Sequence, residues 1–226
     1  MGSPTSETGR GTDETQHQVT LTNGFYLGKY EVTQAQYQTV MNGNSEGLNA
    51  DPSSFKGSNK PVEKVSWGDA QIFLSQLNSI EQTAGRLPPG WKYVLPTEAQ
   101  WEYACRAGTT TAYSWGNDIN SSRANYNQNI GQTTKVGQYK PNPWGFFDMH
   151  GNVFEWCIDW YGAYLLGEVV NPEGSASGKK RAHRGGGFGK PAHATRSAVR
   201  FNGWVPNIRS NNLGFRVGFQ LMPADT

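Results

Sequence analysis

The second half of the chain lacks the apolar spacing of a helix. From Thr109 onward, apolar residues no longer recur at intervals of three and four, and Gly, Asn, Ser and aromatic residues dominate. A region this long without periodicity is either a linker or a set of loops that build a site. Its aromatic residues favour the second interpretation, because disordered segments are poor in them. We therefore predict a folded, loop-rich C-terminal half.

Three helix starts are predicted before that point. Thr33 is placed to cap a short helix, Ser66 with Asp69 resembles a capping box, and so does Thr97 with Gln100. Apolar residues at helical spacing follow each of these starts. The first half is therefore predicted to hold three helices.

Strands are predicted on either side of these helices. Residues 17–30 are rich in β-branched and aromatic residues around Asn23-Gly24, which predicts a hairpin with a tight turn. Residues 93–96 read as a short strand before the third helix. The sequence shows no internal repeat and no break in composition. Together these elements predict one α+β domain over residues 1–226.

Charge, hydropathy and cysteine content exclude several classes of protein. The formal net charge is only +2, and the longest basic run is Lys179–Arg181, which disfavours nucleic-acid binding. No apolar run reaches the roughly 18 to 20 residues of a membrane span. Cys105 and Cys157 are too few for a disulfide-stapled scaffold. Both are interpreted as small core side chains, with one isolated bridge left open.

Nine short motifs follow one another along nearly the whole chain. They are Met1–Ser3, Asp13-Glu14, Gln16–Val19, Gly28–Thr33, Pro61-Val62 with Val65–Trp67, Leu95–Ala104, Gly151–Trp156, Arg184–Gly186 and Leu213–Arg216. In this order they resemble the formylglycine-generating-enzyme (sulfatase-modifying factor) domain. The resemblance implies an elaborated C-type lectin fold, with a small twisted antiparallel sheet, two flanking helices and long loops that build the site.

The resemblance also bears on the N-terminus. In the family, Met-Gly-Ser lies inside the domain after a first strand, so Met1 is expected to be a truncated or engineered start. Localisation is left open by the sequence. Removal of an upstream signal segment would favour the cell surface or secretion.

The resemblance implies that oxidase activity in this chain would require cysteine thiols. The oxidising members of the family use a pair of cysteines after the Gly-Gly-Ser motif, because a thiolate must bind copper and engage the substrate cysteine. The matching residues 185–200 contain no cysteine. The four histidines show no metal-ligand spacing and are interpreted as structural; they are His17, His150, His183 and His193. The chain is therefore predicted not to be an enzyme.

Within the segment of about residues 184–217, residues of the family motifs alternate with residues of varied type that do not follow those motifs. This alternation resembles the variable region of retroelement-diversified proteins, in which adenine-directed mutagenesis of Asn codons changes selected residues on a lectin-like fold. Lys190 and Trp204 are not reachable from such codons and would be template-encoded. The predicted ligand-binding residues are Phe188, Gly189, Lys190, His193, Thr195, Val199, Phe201, Asn202, Gly203, Trp204, Asn207 and Ile208.

Two aromatic residues are central to this prediction. Phe201 and Trp204 on a loop surface would supply rigid contact area at low rotamer cost. The alternative places both rings in the core, beside Trp144, Trp156 and Phe215.

Arginines in the same segment are given a structural role. Their planar forks suit carbonyls and carboxylates such as Asp148 or Glu155. The residues concerned are Arg184, Arg196, Arg200, Arg209 and Arg216.

By resemblance, one structural calcium ion is possible at Asn152, the Val153 carbonyl and Glu155, whose oxygen atoms suit this hard cation. At the second family site Asn125-Tyr126 remains, but its acidic partner is missing. No other cofactor is predicted.

The leading hypothesis is thus a non-enzymatic binding protein that displays a diversified C-terminal surface to a protein or glycan ligand. Two alternatives remain open: an oxidase or pseudoenzyme of the same domain that acts in protein or cofactor maturation, and a purely structural or interaction module.

Overall fold

The computed structural model describes residues 1–165 and 167–222. Three helices lie in the first half of the chain: α1 (Gln34–Met41), α2 (Trp67–Thr83) and α3 (Glu98–Arg106). The eight strands are β1 (Val19–Thr20), β2 (Phe25–Leu27), β3 (Trp91–Val94), β4 (Phe154–Trp160), β5 (Val169–Val170), β6 (Arg181–Arg184), β7 (Leu213–Gly214) and β8 (Gly218–Leu221). The predicted α+β class is confirmed. Among the described residues, no helix combines the length and apolar character needed to cross a bilayer.

The three helices begin at the predicted caps. In the boxes at Ser66 and Thr97, the hydroxyl accepts the backbone N–H three residues on, and the third residue's side chain accepts the N–H of the cap. Thr33 forms the same reciprocal pair with Gln36. Short-range side-chain chemistry therefore fixes where each helix starts.

The predicted hairpin is wrong. β1 pairs in parallel with β5, whereas β2 pairs antiparallel with β8, so the two strands do not pair with each other. A tight type I′ turn needs positive φ at both central residues, and neither Asn23 nor Gly24 has it.

The strands form three small sheets rather than one. Besides the β1–β5 pair, β8 lies between β2 and β3, and β4 lies between β6 and β7. The β4–β6 pair is antiparallel and the β4–β7 pair is parallel. β4 is therefore the central strand of its sheet. The C-terminal segment, residues 184–217, pairs with β4 at both ends of the segment, through Arg184 of β6 and through β7.

The main core joins α1 and α2 to β4 and β7. Tyr37 stacks on Phe73 with ring centroids 5.5 Å apart, and Phe215 meets Phe73 edge-on at 5.2 Å. A second cluster joins α3 to β4 around Trp101 and both cysteines. Because β4 is buried from both sides, the residues that pair with it are held rigidly.

The arginines of the C-terminal segment brace it against carboxylates elsewhere in the chain, as predicted. Arg216 Nε donates to Glu155 Oε2 at 2.5 Å, and both residues are fully buried. The other pairs are Arg184 with Glu98 and Glu102, Arg196 with Glu7 and Glu14, Arg200 with Glu98, and Arg209 with Asp69. Among the described residues, no arginine donates to Asp148, which accepts the Gly137 N–H at 2.7 Å.

Candidate binding surface

The twelve predicted ligand-binding residues fall into three groups by exposure. His193, Asn202, Asn207 and Ile208 are exposed. Gly189, Lys190, Val199, Phe201 and Trp204 are half-buried, and Phe188, Thr195 and Gly203 are buried. The outer surface of the segment is therefore narrower than the sequence predicts.

The three buried residues support the segment from within and do not lie on its outer surface. Thr195 is fully buried and donates its hydroxyl to the Ala192 carbonyl at 2.9 Å. The ring of Phe188 meets Phe55 edge-on at 5.4 Å. Gly203 has a positive φ, and a Cβ there would lie 2.7 Å from Tyr161 Cβ, so the position requires glycine.

Phe201 and Trp204 lie between the two predicted alternatives. Trp204 stacks on the imidazole of His183 at 4.4 Å, and Phe201 meets Phe154 edge-on at 4.8 Å. Trp156 lies behind Trp204 at 6.5 Å. Each ring therefore keeps one side in contact with the core and leaves another open to solvent.

The expected neighbour Trp144 is not part of this cluster. It is 46% exposed and packs against Tyr103.

Loops outside the segment complete the surface. The backbone N–H groups of Asn127 and Gln128 donate to the carbonyls of Lys190 and Phe188, both at 2.7 Å. Lys180 Nζ donates to the Asn202 carbonyl at 3.0 Å. Tertiary contacts bring these neighbours to the segment, so they could not be identified from the sequence. Only Lys180 had a signal, which was its place in the basic run.

The two thiols are remote from solvent. Cys105 and Cys157 are both fully buried and unbridged, which confirms their interpretation as core residues. Burial raises the pKa of Cys105 to about 12 and that of Cys157 well above its usual value, because a low-dielectric surrounding disfavours the thiolate. Burial therefore favours the protonated, less reactive form of both thiols.

Two of the histidines are also buried. The Nδ1 of His150 lies 2.8 Å from the Thr195 carbonyl, and burial lowers the pKa of this ring to about 4. Burial lowers the pKa of His183 to about 3, beneath Phe201 and Trp204. Both rings are thus neutral at physiological pH. Within residues 1–165 and 167–222, no three histidine, cysteine or carboxylate side chains are grouped as a metal ion would require.

The predicted calcium ligands are engaged with protein groups. Both carboxylate oxygens of Glu155 accept hydrogen bonds from Arg216, and Oε2 also accepts the Trp101 indole N–H at 2.7 Å. The Asn152 amide oxygen accepts the Thr134 N–H at 2.9 Å. Glu155 therefore does not fit a calcium ligand unless Arg216 is displaced, and the calcium site stays a prediction.

An open cleft of about 680 Å³ lies beside the exposed ring of His193. Tyr113, Glu7 and Asp118 line it together with threonine side chains. This cleft adjoins the segment and has room for a ligand beside His193.

Comparison with known proteins places this architecture. The family model of the sulfatase-modifying factor enzyme 1-like domain matches residues 1–220. The formylglycine-generating enzyme of Mus musculus is 32% identical over 193 residues, which cover 77% of this chain and 48% of that protein. The chain thus spans about half the length of this curated relative.

Two solved structures share the fold over most of its length. Treponema denticola variable protein 1 superposes with a TM-score of 0.80 at 29% identity, covering 93% of this chain and 89% of that one. PvdO from Pseudomonas aeruginosa superposes with a TM-score of 0.82 at 27% identity, covering 98% and 90%. The predicted lectin-like fold of the formylglycine-generating type is confirmed, and the chain belongs to the sulfatase-modifying factor enzyme 1-like domain family.

Proposed function

We propose that the chain is a non-enzymatic binding protein whose C-terminal segment displays the ligand-binding surface. The observation that carries this proposal is how the segment divides its residues. Its arginines are paired with carboxylates outside the segment, whereas His193, Asn202, Asn207 and Ile208 point outward. Such a division keeps a backbone fixed while its outer side chains are free to differ, as a binding loop on a rigid scaffold requires.

The likeness to a variable protein supports this reading. The Treponema denticola protein is named for variability, and its match covers 93% of this chain. We extend the proposal to diversification by a retroelement acting on Asn codons. Its test is genomic: a neighbouring reverse transcriptase gene and a second, adenine-richer copy of the coding segment for residues 184–217 are expected.

The alternative is an oxidase or pseudoenzyme that acts in protein or cofactor maturation. The identity to a formylglycine-generating enzyme and the likeness to PvdO favour it. Residues 185–200 provide no thiol for copper, and both cysteines are buried. We expect no oxygen consumption and no change in peptide mass when the protein is incubated with copper and a cysteine peptide. Turnover would establish the alternative.

A pair of libraries tests the display of the surface. One library randomises His193, Asn202, Asn207 and Ile208, and the matched control randomises the buried set Phe188, Thr195 and Gly203. Most members of the first are expected to fold and most of the second to fail, because only the second disturbs packing.

The folded library is then selected against a panel of purified proteins and glycans. We expect binders whose affinity is lost when their substituted positions are returned to the original residues. Failure to enrich any binder, or binders insensitive to those reversions, would contradict the proposed surface.

A further inference from the structure

Charge is unevenly distributed along this sequence. Between Glu173 and Asp225 the chain has no aspartate or glutamate, yet it has nine lysines and arginines. The net charge of the whole chain is only +2, so the carboxylates that balance this stretch lie elsewhere in the sequence. The fold decides which of the cations are neutralised inside the protein and which are left for a partner.

The arginines are neutralised internally. Arg184, Arg196, Arg200, Arg209 and Arg216 each form an ion pair with a carboxylate from the first 155 residues. A further arginine, Arg181, lies between the rings of Trp67 and Trp160, 3.8 and 3.4 Å from their centroids. These cations belong to the scaffold.

Three lysines remain: Lys179 is exposed, whereas Lys180 and Lys190 lie close to the half-buried aromatic residues of the segment. Lys190 Nζ lies 5.5 Å from the ring centroid of Phe201, and Lys180 Nζ is bound to the carbonyl of the next residue, Asn202. In the part of the chain that the structure describes, neither ammonium has a carboxylate oxygen within 4.0 Å. Both are half-buried, so water screens them less than it screens a fully exposed lysine.

Exposed aliphatic side chains follow these aromatic residues along the chain. Val205 is 44% exposed and Ile208 is 39% exposed, and the Ile208 N–H donates to the Val205 carbonyl, so the two share one turn. With Phe201 and Trp204 they form an apolar centre. We name this centre together with Lys180 and Lys190 the lysine-flanked patch.

We infer that the ligand of the lysine-flanked patch is an acidic segment of a protein. This rests on the proposed binding function and names its ligand class. An apolar centre within a charged rim is the usual anatomy of a protein–protein interface, and aromatic residues provide its anchors. The two charged side chains of the lysine-flanked patch are both positive, so a complementary partner presents carboxylates around an apolar or aromatic side chain.

A neutral glycan fits less well. It would leave both ammonium groups without a counter-charge on binding, and one face of Trp204 is already covered by His183. An anionic polysaccharide would pair with both ammonium groups, but its polar surface would gain nothing from covering the aliphatic side chains of Val205 and Ile208.

The test uses a fluorescein-labelled random copolymer of L-glutamate and L-tyrosine as the probe, followed by fluorescence anisotropy with the intact protein. Heparin and neutral dextran are the comparison probes. We expect the copolymer to bind in preference to both, with an affinity that falls as sodium chloride is raised, because exposed charges are screened.

Two double variants of equal net charge separate the patch from general attraction. Lys180→Ala/Lys190→Ala is expected to weaken copolymer binding by about tenfold, because two ion pairs at the rim are lost. Lys92→Ala/Lys140→Ala removes two exposed lysines elsewhere and is expected to change it by less than about twofold. Thermal melts establish that all variants are folded.

Three results would overturn the inference: no copolymer binding, equal losses in the two double variants, or preferred binding of heparin or dextran. The display function is judged separately. If the library selection yields binders but the wild-type protein does not bind the copolymer, the inferred acidic ligand is wrong, whereas the proposed binding surface is still supported.

Discussion

Residues 184–200 and residues 201–208 adjoin in the sequence but are held in different ways. The first stretch is fixed by charge: Arg184, Arg196 and Arg200 are buried and each is paired with a carboxylate. The second carries no ion pair among residues 201–208 and is held by two aromatic rings that rest on His183 and Phe154, and by backbone hydrogen bonds to Arg181 and Trp67. Buried charge tolerates almost no substitution, whereas a half-buried ring tolerates some. The difference indicates where this scaffold can vary.

The largest expected effect tests the charged stretch. Arg184→Met removes one of the two arginines paired with Glu98 and one of the two paired with Glu102, inside a buried cluster, which we expect to cost about 3 kcal/mol in the free energy of unfolding. Urea denaturation followed by circular dichroism measures it. Arg209→Met breaks an ion pair whose arginine side chain is 48% exposed and serves as the control, with an expected cost of at most about 1 kcal/mol. Equal costs would remove the distinction between the stretches.

The aromatic rings come next. Trp204→Ala exposes one face of His183 and removes the contact with Trp156, so we expect a loss of about 2 kcal/mol, less than for a fully buried tryptophan. Trp144→Ala, at an exposed ring, is expected to cost below about 1 kcal/mol. Thermal melts compare the two. A melting temperature unchanged by Trp204→Ala would place the ring wholly on the surface, as one reading of the sequence had it.

A buried carboxyl beside the partners of the charged stretch makes stability depend on pH. Burial and the neighbouring Glu98 raise the pKa of Asp159 to about 8, so the folded protein keeps this carboxyl protonated where the unfolded chain ionises it. Stability from this group is therefore present below the ordinary pKa near 4 and is lost as pH rises towards 8. Asp159→Asn should remove this loss, which is at least about 1 kcal/mol between pH 5 and pH 8.

Urea unfolding of wild type and Asp159→Asn at both pH values measures the effect. An identical fall in stability for the two proteins would show that Asp159 is ionised in the folded state. Glu98 would then share its arginines, Arg184 and Arg200, with a second charge.

Local chemistry explains what the sequence predicted well. The helix starts at Ser66 and Thr97 depend on side chains three residues apart, so they could be identified without knowing the fold. The bracing arginines could be foreseen from the chemistry of the guanidinium group, although the partner of each could not. The family motifs supplied the rest of the architecture.

Long-range pairing explains what it missed. The partner of β2 is β8, nearly two hundred residues away, so Asn23-Gly24 was an unreliable sign of a hairpin. Trp204 is half-buried because its ring stacks on His183, a residue of β6. No pattern within 184–217 reports such contacts, which is why its outward and inward residues could be separated only in the folded chain.

The smallest expected effects belong to the exposed residues of the segment. Asn202→Ala, Asn207→Ala and Ile208→Ala are each expected to change the free energy of unfolding by less than about 0.5 kcal/mol, because none of these side chains is buried. Differential scanning calorimetry measures the changes against Thr195→Ala, which removes a buried hydroxyl that is bonded to Ala192. A loss above about 1 kcal/mol at any exposed position would show that it supports the fold, and that residue would leave the proposed binding surface.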